Sequence, residues 1–207
     1  KYLGRIDAAV MVSGNSMSHI YLRKDNDWGK NYTYKDSEGL VDKLLSYEGI
    51  DIVMTRNEKG QIVIKSKRGT ALLEDKETGV IYTPLLNDPF GYNGIKDYLT
   101  YDEVLDLTFD TLYPDSLTQI VQIFKSARCG DIVISAQTGY DLRRDFEVPE
   151  HKSSHGSLKS DHMHVPLIMN KKVPISRIRT VDLFPTILDF LSLPCTTKID
   201  GKKLDIY

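Results

Sequence analysis

Cysteine is nearly absent: Cys129 and Cys195 are the only two in 207 residues, too few for a scaffold built on disulfides. One bridge between them is left open by the sequence, and so is the redox compartment. A surplus of one charge is missing as well. The chain sets 27 Lys+Arg against 29 Asp+Glu, a formal net charge of −2, which removes the electrostatic footprint of a general nucleic-acid binder or a membrane-surface protein. No run nears the ~20 consecutive apolar residues that cross a bilayer. An initiator methionine is lacking too. The chain starts at Lys1, and residues 1–7 have no apolar stretch of the kind a secretory leader carries, so the expectation is a piece cut from a longer polypeptide. What is present is ordinary globular material, 41% hydrophobic and 27% charged, enough for one domain, or a domain with a small insertion. There is no internal repeat and no low-complexity segment.

Residues 8–13, Ala-Ala-Val-Met-Val-Ser, form a continuous apolar run, the pattern of a strand buried on both faces. Gly14-Asn15 marks a turn, and 19–22 a returning strand. The polar and aromatic stretch 24–35 reads as loop. Ser37 is placed to cap a helix over 38–47 that Gly49 ends. Four short segments, 50–55, 61–65, 70–73 and 80–83, are separated by Gly- and Asn-bearing turns and predict an antiparallel meander. Residues 87–94 read as a surface loop. Helices are predicted over 101–107 and 116–127, and a second buried strand over 131–136. A further strand follows at 165–169. Asp182 then opens a helix whose Leu183, Ile187, Leu188 and Leu191 are expected in the core. The class is α/β, with 24–112 inserted between the first strands and the rest.

Four of the five histidines, His151, His155, His162 and His164, fall within fourteen residues. They lie in or beside the connection 137–161, longer than the ~12–15 residues a structureless link usually spans. Two buried strands flank it, the place where an open α/β sheet presents ligand-binding ends. Asp145 and Asp161 add carboxylates, and imidazole with carboxylate suits zinc or a similar divalent ion. No closed Cys/His knuckle spacing is present. The same histidines are equally compatible with solvated side chains that bond the backbone. Ser13 and Ser16 read as turn residues, because no base or metal ligand stands beside them to activate a nucleophile.

Five motifs then come in order: Gly130-Asp131-Ile132-Val133-Ile134-Ser135-Ala136, Gly139-Tyr140-Asp141-Leu142, Ser154-His155-Gly156-Ser157, Met163-His164-Val165-Pro166-Leu167-Ile168, and Thr180-Val181-Asp182-Leu183-Phe184-Pro185-Thr186-Ile187-Leu188. In this order they resemble the C-terminal portion of the alkaline phosphatase superfamily, and are most similar to its type I phosphodiesterase/nucleotide pyrophosphatase branch. The likeness covers about residues 130–193, and 1–22 more loosely. It implies a partial sheet-and-helix core made of 1–23 and 113–207, with 24–112 inserted as a small α+β cap. Aromatics in that cap, Trp28, Tyr32, Tyr34, Phe90 and Tyr92, are expected either to pack or to stack on a base.

By the same resemblance His155 is the last metal ligand, and Gly156 permits close backbone approach beside it. Asp161, His162, His164 and His151 match no family ligand and are expected around the ligand or in the loop, with Asp161 suited to orienting an imidazole. The implied cofactor is a divalent metal, zinc by analogy, with two ions in the intact enzyme and none held tightly by this chain. The implied substrate is a small phosphorylated molecule, not a nucleic-acid polymer. The family's Thr or Ser nucleophile, its two central Asp/His ligands and its Asp-His-Gly step are not in this sequence. Gly14-Asn15 aligns with the strand-turn-strand that follows that step. The function so implied is the C-terminal part of a metal-dependent phosphoric-ester hydrolase, inactive in isolation. The alternative is a non-catalytic binding or scaffolding module derived from one. A third reading, an unrelated protein binding zinc through its loop alone, requires His155, His162 and His164 together.

Overall fold

The turn-punctuated apolar segments assemble into one antiparallel sheet. In the computed structural model, which describes residues 3–95, 97–143, 148–149, 153–170 and 177–205, the strands are β1 (Ala8–Ser13), β2 (Met17–Leu22), β3 (Ile50–Arg56), β4 (Ile62–Ser66), β5 (Thr70–Lys76), β6 (Gly79–Pro84), β7 (Tyr98–Thr100) and β8 (Ile132–Ala136). Their spatial order is β1-β2-β8-β3-β4-β5-β6-β7, and every neighbouring pair is antiparallel. The α/β class holds. Residues 24–112 supply β3 to β7 of the same sheet that contains β1, β2 and β8. The chain divides into two compact units, Lys1–His164 and Val165–Tyr207.

Alternation along the strands divides the first unit's core between two faces. On one face, α1 (Tyr34–Ser46) sets Val41 and Leu45 against Ile20, Val53, Ile132 and Ile134. On the other, α2 (Tyr101–Thr108) and α3 (Ser116–Lys125) bring Val104, Leu117, Ile120 and Phe124 onto Ile52, Met54, Ile64, Leu73 and Val133. Phe90 and Tyr92 belong to this core. They are buried, with ring centroids 5.1 Å apart, beside Tyr82 and Tyr113. Of the cap aromatics, these two pack rather than face a ligand.

Three local expectations are corrected. The helix expected from Ser37 begins at Tyr34, because Thr33 finds a reciprocal partner: its N–H and hydroxyl both donate to the Asp36 carboxylate at 3.0 Å. Ser37 instead lies buried in the first turn and donates to Thr33 O at 2.8 Å. The run 8–13 is a strand, but not a buried one. It forms the outermost strand, neither core cluster includes its residues, and Val10 and Met11 are 58% and 60% exposed. Residues 165–169 form no strand, since no ladder partner reaches them among the described residues.

The second unit is organised around a polar node. Asp182, buried just before α5 (Leu183–Phe190), accepts from Arg179 N and Lys202 N at 2.9 Å each. Thr186 Oγ1 donates to Asp182 O at 2.6 Å and accepts from Leu204 N at 2.9 Å. Thr186 is the buried position of α5, whereas Ile187 and Leu191, expected in a core, are more than half exposed. No helix among the described residues is long and apolar enough to cross a membrane.

Candidate functional site

Strand direction collects the chemistry-bearing segments at one end of the sheet. β8 runs out at Ala136, and its antiparallel neighbours β2 and β3 begin there, with Met17 opposite Ser135 and Ile50 opposite Ala136. The β1–β2 turn therefore sits beside the carboxyl end of β8. Three backbone bonds close the seam: Ala136 N to Ser16 O at 2.9 Å, Gln137 N to Gly49 O at 2.9 Å, and Leu142 N to Asn15 O at 2.7 Å. The long connection after β8 returns across this end.

His155 is fixed there by its backbone. Its N–H donates to Gly14 O at 2.9 Å, its carbonyl accepts from Ser16 N at 3.1 Å, and it forms a parallel bridge with Asn15. Ser154 Oγ adds a contact of 2.5 Å with Ser16 Oγ and donates to Gly14 O at 3.3 Å. Gly14 and Asn15 both take positive φ, +64° and +68°. A Cβ at position 14 would collide with the Nδ1–Cε1 edge and the carbonyl of His155. Gly156, at φ +102°, faces the other way, and a Cβ there would come within 2.9 Å of Ser13 O. Two glycines far apart in sequence thus meet across one contact, each making room for the other segment. The His155 side chain itself is exposed.

The next three residues are held differently. Ser157, Leu158 and Lys159 are buried. Leu158 enters the larger core cluster, while its N–H donates to Ser135 Oγ at 3.1 Å and its carbonyl accepts from Ser116 Oγ at 3.3 Å. The Lys159 side chain, 9% exposed, donates to Gln137 Oε1 and stands 3.8 Å from Asp51 Oδ2. Asp51, at the start of β3, has no exposed side-chain surface. Its carboxylate accepts from Arg68 Nη1 at 2.9 Å, Gln137 Nε2 at 3.1 Å and Tyr113 Oη at 2.7 Å. Burial, and the Asp51 carboxylate beside it, push the Tyr113 hydroxyl well above the usual phenol range. Sequence reasoning missed this node, because single residues on separate segments leave no local pattern.

The other expected site residues that the structure describes each have a partner of their own. His162, in the short helix α4 (Ser160–Met163), accepts from Ser157 N at Nδ1, 3.2 Å away. His164 lays its ring against Phe109 with centroids 4.6 Å apart. Asp161 accepts from Thr138 Oγ1 at 3.3 Å. His151 and Asp145 lie outside the described residues. Among the described residues, no group of three or more His, Cys, Asp or Glu side chains is arranged to hold a metal ion. The fifth histidine, His19 in β2, accepts from Gly130 N at 3.1 Å, and burial lowers its pKa. Ser16 is buried and engaged with Ser154. Both cysteines are free thiols. His155 fits a metal as one ligand: its imidazole is exposed and its backbone is clamped on both sides, so an ion there would take its other donors from elsewhere. The chain matches no family model, no curated protein and no solved structure.

Proposed function

We propose that this chain is the C-terminal part of a metal-dependent phosphoric-ester hydrolase of the phosphodiesterase/nucleotide pyrophosphatase type, and that it is inactive by itself. The observation that supports this best is the clamp between Gly14-Asn15 and Ser154-His155-Gly156. The two segments belong to separate parts of the resemblance, yet they meet at one sheet end with the imidazole exposed.

In this reading His155 supplies one nitrogen ligand to a divalent ion. Such an ion polarises a phosphoryl oxygen, eases deprotonation of the attacking hydroxyl and steadies the leaving oxygen. The chain's own residues then have positioning roles. Gly14 and the Ser16–Ser154 pair set where the ring stands, and the Asp51–Lys159 node holds the loop that carries it. The loop 137–161 forms the rim for a small phosphorylated substrate. The nucleophile and the other ligands come from residues outside this chain.

The test is to read the parent coding sequence upstream of Lys1, produce the whole polypeptide and assay a chromogenic phosphodiester with zinc. The expected result is an upstream Thr or Ser nucleophile with Asp, His and Asp-His-Gly, and turnover that drops by about 100-fold or more in His155→Ala. A parent without those motifs replaces the hydrolase with a binding module. Turnover by the 207-residue chain alone, lost in His155→Ala, overturns the statement that the chain is inactive.

A further inference from the structure

Three amides in a row follow His155 and Gly156, and each is held differently. Leu158 N–H donates to Ser135 Oγ in β8 at 3.1 Å, and Lys159 N–H to Ser157 Oγ at 3.3 Å. Ser157 N–H, the first after the glycine, donates to a ring: His162 Nδ1, 3.2 Å away. Ser157 is 3% exposed, so water does not replace that acceptor if the ring is removed.

The ring is carried by a turn that is itself anchored. His162 N–H and Met163 N–H both donate to Lys159 O at 2.9 Å, and the Lys159 side chain is buried against Gln137 and Asp51. A neutral imidazole has one acceptor nitrogen and one N–H. Here Nδ1 is the acceptor, which puts the proton on Nε2. Between His155 and Ser157 stands Gly156 at φ +102°, a residue whose own torsions do little to fix the direction in which the chain leaves His155. The β1–β2 turn holds the backbone of His155 itself. The bond to His162 holds the chain just beyond the glycine.

We infer that His162 is a positioning residue for His155: its neutral ring, as the Nε2–H tautomer, holds the Ser157 amide and through it the setting of the imidazole two residues upstream. The inference rests on the hydrolase reading only in taking the His155 ring as the group that meets a ligand. The hydrogen bond and its test involve no hydrolysis.

Nitrogen-15 NMR of the 207-residue chain at about pH 8, above the ordinary histidine pKa, tests this directly. The expected result is a coupling across the hydrogen bond between Ser157 N and His162 Nδ1. His155 is followed by the nuclear Overhauser contact of its Cε1–H with the Gly14 α-protons, since the ring edge lies over Gly14. His162→Phe keeps a ring and removes the acceptor. It is expected to speed exchange of the Ser157 amide at least about tenfold and to weaken the His155–Gly14 contact. His162→Asn, whose Oδ1 replaces the acceptor, restores both. Absence of the coupling in the unaltered chain overturns the inference, whether or not the variants fold. A Phe variant that frees the Ser157 amide but leaves the His155–Gly14 contact intact overturns it too, by confining His162 to its own turn. None of these readouts depends on turnover, so a parent sequence without the hydrolase motifs leaves them standing.

Discussion

Within five residues of one loop, the protein uses two opposite ways of holding a side chain. At His155 the backbone is bonded on both sides to the β1–β2 turn and the imidazole is left exposed. At Lys159 the side chain is the anchor, buried against Gln137 and Asp51. On the proposed reading the His155 ring is kept for a ligand, and main-chain bonds set its position. A group four residues later has no such duty and is free to tie the loop to the sheet.

This contrast breaks most severely at Asp51. Asp51→Ala leaves the Lys159 ammonium buried without its carboxylate and is expected to cost about 3–5 kcal/mol, read by urea denaturation. If Lys159→Met costs little, charge is not what holds this half of the loop. Gly14→Ala attacks the other half. Its positive φ and the collision with the His155 ring predict a loss of about 1–3 kcal/mol, together with a displaced His155 imidazole resonance. An unmoved resonance would separate the turn from the site.

Acid sharpens the contrast between a half-buried and an exposed histidine. Burial holds the folded pKa of His19 below its ordinary 6.5, so the unfolded chain binds the proton more readily. The contribution is present in full above pH 6.5 and declines as pH falls through the folded value. Melting temperatures of the protein and of His19→Gln are expected to converge or cross as pH drops below about 6.5. Curves that stay parallel would show that His19 is not the sensor. The smallest effect belongs to His155→Ala, expected to change stability by no more than about 0.5 kcal/mol in denaturant. A larger loss would mean that the ring, not the backbone, holds the segment.

The sequence conveyed local elements well and their depth poorly. The meander strands, the run before Gln137 and the helices after Thr100 and Asp115 were legible, because turn residues and periodicity are local signals. Ser37 read as the cap of the first helix, whereas Thr33, with its reciprocal Asp36, starts it. Burial was another matter. Ala8–Ser13 has the composition of a central strand but stands at the edge, and Ile187 and Leu191 have the composition of a core but face outward. Composition records what a segment tolerates, whereas depth depends on neighbours the segment does not encode. At the candidate site, the sequence singled out the His155 segment. The fit of Gly14 to it was not, nor was the Asp51–Lys159 node, since each joins single residues from distant segments.

The place of β8 sets an order of assembly. It is the last strand to emerge in sequence, yet it lies between β2 and β3, both made long before it. Until residues 132–136 are inserted, the β1–β2 hairpin and the β3–β7 meander have no common sheet, and closing them requires loops of high contact order. The Gly14–His155 clamp sits at the exit of that strand, so it forms only after the insertion is complete. A correctly placed His155 therefore reports that β8 has joined the β1–β2 hairpin.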